Sequence, residues 1–214
     1  MTKKEIPTQP ATVSTQWLAD AGGFAWQDFI TAIPSPLFVV TGWKANGKEN
    51  ACMQAWSTFV GSGADDFLCL LGSVGTGGHM YQSLKQTGCC VLNFPSREVS
   101  DLCFATIKNN RYEADEITAS GLTAEPAVVV NAPRIAECFL NIECEYLWEH
   151  EHFPGSGQVT VALKAVHLCM DSERYDDAKL GRYGKTGYEF LVHFPLNPET
   201  GEMGECGPAS IEMM

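Results

Sequence analysis

The segment Gly72–Met80 reads GSVGTGGHM, with glycines between an apolar run and a helix-forming one. Such a loop exposes backbone N–H groups, and a following helix N-terminus adds a favourable dipole, so the arrangement suits a phosphate. It equally suits a flexible turn, since the spacing is neither G-x-G-x-x-G nor G-x-x-x-x-G-K-[ST]. Gly184–Thr186 supplies the GKT of a nucleotide-triphosphate loop, but Lys179 stands where that loop needs its first glycine, and no strand precedes it. His150 and His152 are spaced to share one strand face, with His167 and His193 elsewhere. No pair of carboxylates or thiolates completes a ligand set with them, so no metal is expected. No Ser–His–Asp or Cys–His arrangement can be assembled, and no catalytic side chain is assigned. Cys89 and Cys90, adjacent in an apolar run, face opposite sides of a strand and read as packing residues rather than a redox pair. Finally, NACMQAW (Asn50–Trp56) sets small residues before a large indole. Trp43 and Trp56 are by general expectation core residues, and only their company suggests another role.

The elements that must position these residues are mostly strands. LFVVTGW from Leu37 runs into KANGKEN, whose Asn-Gly tolerates positive φ, and NACMQAWSTFV is expected as a single return strand. FLCLLGS from Phe67 and GCCVLNF from Gly88 are apolar enough to be buried strands. Between them the pattern predicts a helix over His79–Gln86, stopped near Gly88. SREVSDLCFATIKNN carries Val99, Leu102, Cys103, Thr106 and Ile107 at helical spacing, with Ser96 or Ser100 as caps. Cys138–Trp148 alternates regularly, predicting a strand with one buried face and one largely wet. A turn at 155–157, the long strand QVTVALKAVHLCM, the short strand YEFLVHF and a turn at PLNPETGE complete the chain, while Trp17–Ile30 reads as one or two short helices. Many strands with two or three helices give a mainly β fold with helical additions (α+β), most simply a β-barrel.

Composition bounds the class. The 214 residues are 45% hydrophobic and 19% charged, as in an ordinary globular chain. A single domain over 1–214 is expected, with residues 1–33 as a helical N-terminal extension and 34–200 as the barrel core. A net charge of -12 argues against nucleic acid and anionic membrane as partners. Nine cysteines, an odd number without C-x-x-C, read as free thiols. Without an apolar leader or a run near the ~20 residues of a membrane span, the chain is expected to be cytoplasmic.

The order SPLFVVTGW, NACMQAW, GHMYQSLKQTGCCVLNFPS, GLTAEPAVVVNAPRIAECFLNIEC and GRYGKTGYEF, from about Pro34 to Gly201, resembles the flavin reductase-like FMN-binding split-barrel family, which includes flavoredoxins. The resemblance implies an FMN-binding split β-barrel with the flavin at a homodimer interface. It implies that Asn50, Ala51, Cys52 and Met53 line the isoalloxazine ring, with Ala55 and Trp56 at the far end of that strand. Ser73, Val74 and the following glycines would run beside the ribityl chain and phosphate. His79, Met80 and Tyr81 would open the helix, and Asn93 would end the V-N-x-P strand. Backbone N–H groups, Thr76, His79 and Arg182 would hold the phosphate. The chain departs from the pattern at Met53, where Thr is frequent, at Ala55, where Ser is, and at Gly75–Gly78, which lacks the usual Arg or Lys. The implied activity is hydride transfer from NAD(P)H, a transient co-substrate, to flavin N5. The alternative is a flavoredoxin-like electron carrier fed by a redox protein partner.

Overall fold

The computed structural model describes Thr2 and residues 33–61, 63, 65–176, 187–193 and 206–210. In chain order the elements are β1 (Ser35–Pro36), β2 (Phe38–Trp43), β3 (Glu49–Gln54), β4 (Ser57–Val60), β5 (Leu68–Gly75), α1 (His79–Thr87) and β6 (Cys89–Phe94). There follow α2 (Ser100–Lys108), α3 (Glu116–Ala119), β7 (Ala124–Pro126), β8 (Pro133–Ile135), β9 (Leu140–Glu151), β10 (Gln158–Met170), α4 (Ser172–Asp176), β11 (Glu189–His193) and β12 (Cys206–Ser210). The helices expected over Trp17–Ile30 and the turn at PLNPETGE lie outside the described residues.

The chain divides into two compact units. The smaller, Met1–Ser35 with Leu191–Ala209, holds much of a three-stranded sheet ordered β1-β11-β12. The larger, Pro36–Phe190 with Ser210–Met214, is built on a seven-stranded sheet ordered β3-β2-β6-β9-β10-β5-β4. Its two edges, β3 and β4, are consecutive in the chain. Seven strands laid flat would separate those edges by about 29 Å, yet the step from Gln54 to Ser57 covers at most about 11 Å. The sheet is therefore curled onto itself. No ladder joins β3 to β4, which leaves the barrel split.

Apolar side chains on the inner face fill the curl: Phe38, Val40, Leu71, Leu92, Phe139, Ile142 and Leu163 are all at most 5% exposed. Helix α1 packs on β2, β3 and β6, burying Met80, Ser83 and Leu84. It ends where Gly88 takes φ +68° and donates its N–H to the Leu84 carbonyl, as the sequence pattern requires.

Three expectations need correction. The return strand breaks at Ala55–Trp56 into β3 and β4, because one strand cannot serve both edges of a curled sheet. Neither Ser96 nor Ser100 caps α2: the N-cap position is Val99, and the Ser100 hydroxyl turns back to the Ser96 carbonyl at 3.4 Å. The first half of β9 is buried on both faces, Asn141 and Glu143 included. Glu143 is enclosed because its carboxylate accepts N–H bonds from Val128 and Val129 (2.7 Å each) and Val130 (3.2 Å). Cys89 and Cys90 do face opposite ways, into separate clusters.

Candidate functional site

The edge strand β3 has an unusual outer border. Backbone N–H groups alternate sides along an antiparallel strand. Those of Glu49 and Ala51 point away from β2 and donate to Asp115 Oδ1 (3.2 Å) and Glu116 Oε2 (2.8 Å). The Glu49 carboxylate in turn accepts the Thr118 N–H at 2.9 Å. Behind this clamp, Lys44 Nζ is buried against Glu116 Oε1 (2.9 Å) and the carbonyls of Arg111 (2.9 Å) and Ala114 (2.6 Å). Only Met53 remains with an outward N–H that the clamp does not take. The Lys44–Glu116 pair and α3 were not recognised from the sequence, where a lysine just past an apolar strand looks like any hairpin lysine.

Strand β5, which runs into the glycine loop before α1, carries Ser73, the one non-glycine residue with positive φ (+53°) among the described residues. Ser73 is exposed, and the strain of that conformation has to be held by its surroundings. Thr76 gives both its N–H and its hydroxyl proton to the Gly157 carbonyl, at 3.0 and 3.2 Å. Gly78 donates to the Gly75 carbonyl, and a Cβ at Gly77 would meet nothing within 4 Å, so the loop opens outward there. Beyond it no side chain caps α1. Its first N–H groups, those of His79, Met80 and Tyr81, lack intrahelical acceptors. No Lys or Arg occurs between Leu68 and Leu84.

His79 joins the two halves. Its ring meets Tyr112 edge-on at 5.5 Å between centroids, and its buried Nδ1 has no hydrogen-bond partner but lies 3.6 Å from Glu116 Oε1. Tyr81, half-buried, donates its hydroxyl to Glu149 Oε1 at 2.9 Å.

Of the residues that the resemblance implies, Cys52, Met53, Ala55, Thr76, His79 and Tyr81 are half-buried, and Trp56 and Ser73 are exposed. Burial holds the Cys52 thiol above its ordinary pKa, against a smaller opposing effect from Gln54. Trp56 is pinned by its backbone, whose carbonyl accepts the Gly72 N–H at 2.8 Å.

Others are turned inward. Val74, Met80 and Ala51 are core residues, and Asn50, 2% exposed, points Nδ2 at Ser83 Oγ (3.4 Å). Asn93 is fully buried, with Nδ2 shared among the Val39 carbonyl, the Val91 carbonyl and Thr41 Oγ1, and Oδ1 accepting from Ile135 N–H and Asn141 Nδ2. It has no position left for a ligand and acts as a structural hub. Arg182 lies outside the described residues. His150 bonds its neighbour's carbonyl through Nδ1, and His152 lies past the end of β9 with Nε2 on Thr160 Oγ1.

The family model for the flavin reductase like domain matches residues 30–189. A curated relative, an uncharacterized protein of Methanothermobacter thermautotrophicus, is 30% identical over 98 residues, 44% of this chain. The chain spans 45% of that relative's length. Nitrilotriacetate monooxygenase component B from Bacillus cereus aligns with TM-score 0.72 at 14% identity, covering 100% of this chain and 98% of that one. Flavoredoxin of Desulfovibrio vulgaris aligns with TM-score 0.65 at 19% identity over 86% and 91%, and flavoredoxin from Methanosarcina acetivorans with 0.62 at 16% over 100% and 94%. At such identities these likenesses establish the fold, a split barrel.

Proposed function

Because the chain belongs to the flavin reductase-like family, we propose that it is an FMN-binding oxidoreductase of the flavin reductase type, taking hydride from NAD(P)H. The observation that carries this reading is the family match over residues 30–189, supported by the outward β3 edge and the open glycine loop. The donor set fits such a cofactor. Met53 offers an outward N–H beside small and thioether side chains, and the uncapped start of α1 offers donors to a phosphate. His79 Nδ1 is the unpartnered polar atom between them.

Bound FMN would supply hydride acceptance and release. The chain's own residues would bind, orient and shield. Met53 N–H would bond the polar edge of the ring, Cys52, Met53 and Ala55 would flank it, and the first N–H groups of α1 with Ser73 would hold the phosphate. The acid clamp keeps β3 rigid by satisfying its outer N–H groups, so the ring edge has a fixed border. A homodimer, cytoplasmic location and NAD(P)H as a visiting co-substrate belong to the same proposal.

One feature favours a second reading, a flavoredoxin-like carrier without its own NAD(P)H activity. The net charge is -12, and the cleft segment Leu68–Leu84 has no cationic side chain for a dinucleotide's pyrophosphate. Stopped-flow reduction of the flavin-loaded protein separates the two. Rapid bleaching by NADH or NADPH alone supports the reductase, whereas bleaching only with a reduced redox protein removes it in favour of the carrier.

A further inference from the structure

Glu189, at the start of β11 and within the larger unit, is 2% exposed, and neither oxygen of its carboxyl has a hydrogen-bond partner. An ionised carboxylate in that setting is costly, whereas a neutral one is tolerated. The charged and polar groups facing it come from the approach to α2: the Arg97 guanidinium, the Glu98 carboxylate and the buried Ser100 hydroxyl, which lies close without completing hydrogen-bond geometry. Phe94 of β6 and Phe139 take the Tyr188 ring edge-on at 5.6 and 5.1 Å, and the Leu37 N–H donates to the Glu189 carbonyl at 2.9 Å. Arg174 sets its guanidinium over the same Phe139 ring at 3.7 Å.

From this geometry we infer that Glu189 is a proton-gated latch: its neutral carboxyl seats residues 187–190 against β6 and the start of α2, and its ionisation loosens that seat. The latch anchors the chain a short way past Arg182, for which the resemblance implies a phosphate contact. Burial is the largest influence and raises the carboxyl pKa above its ordinary 4.5, against the opposing pull of Arg97 and Ser100. The sign follows by linkage. The stabilising contribution is whole below 4.5 and is lost as pH rises through the higher folded-state value.

The Leu37 amide reports the latch directly, and the Tyr146 amide, bonded to the Gly88 carbonyl at 2.8 Å, reports the barrel. Native-state hydrogen exchange, corrected for intrinsic rates, is followed from about pH 5 to about pH 9. Leu37 protection should fall by up to about tenfold per pH unit between 4.5 and the folded-state value and level off above it, while Tyr146 protection does not follow. Glu189→Gln should flatten the Leu37 profile and raise protection at the alkaline end. Equal profiles in the native chain and Glu189→Gln would overturn the latch. Should that variant fail to fold, Arg97→Gln, an exposed change, decides: the fall in Leu37 protection moves to higher pH if the latch exists, and an unmoved or lowered midpoint refutes it. The test uses no flavin, so it stands or falls apart from the proposed function.

Discussion

Asn93 and Glu116 both engage their side-chain polar atoms within the fold, and neither role is the one their neighbourhood in the sequence suggests. Asn93 ties β2, β6 and β9 to the residues around β8 through its amide. Replacing it by Ala leaves Thr41, Asn141 and the Ile135 N–H short of partners. A loss of at least about 2 kcal/mol is expected in urea unfolding, with flavin bound per folded molecule unchanged. Reduced flavin stoichiometry at full stability would return Asn93 to the cofactor. Glu116 is the counter-ion of buried Lys44, so Glu116→Ala strands an ammonium group and should cost about 3–5 kcal/mol. The double variant Lys44→Met/Glu116→Leu should recover part of that loss in the same assay, because no charge is then left unpaired in the interior.

Among the elements, the step from β3 to β4 depends on Gly72, whose missing Cβ leaves room for the Trp56 carbonyl. In Gly72→Ala the methyl group would overlap that oxygen, and a loss of about 1–3 kcal/mol is expected by thermal or urea unfolding. The loop 128–130 depends instead on Glu143. Burial alone would raise that carboxyl's pKa, but three N–H donors and His167 outweigh it and hold it below 4.5. Its contribution is therefore present above 4.5 and lost as pH falls through the lower folded-state value. Amide protection at Val128–Val130 should hold on acidification from about pH 7 to 4.5 and decline below it towards the lower folded-state value, and should lose that dependence in Glu143→Gln. Such elements also show what a sequence can carry. Strands β2, β5, β6 and β10 and helix α1 were legible because apolar runs and Gly88 act locally. The break at Ala55–Trp56 was not, since it follows from closure of a whole sheet rather than from any residue there. The burial of Glu143 escaped for the same reason: a carboxylate in an alternating strand reads as wet until a distant loop supplies its donors. Among candidate site residues, the resemblance points to β3 and the glycine loop, yet Asn50, Val74, Met80 and Asn93 share those motifs and turn inward, because burial is set by the facing elements rather than by the motif.

At the scale of the whole molecule, no helix among the described residues is long and apolar enough to cross a membrane. A homodimer, part of the proposed function, should sediment at twice the 23.4 kDa chain mass; a monomeric mass at working concentrations would remove the partner subunit from the account. The excess of acidic over basic side chains makes steering of an anionic nucleotide unfavourable, so reduction by NAD(P)H should quicken as salt screens the repulsion. The central claim is that this split barrel holds FMN. Its most direct test is the visible absorption spectrum of the purified protein, with acid release and identification of the chromophore after incubation with FMN. The account predicts a flavin spectrum retained through gel filtration and FMN in the acid supernatant. A colourless protein that takes up no added FMN would contradict it, leaving the fold in place without the proposed chemistry.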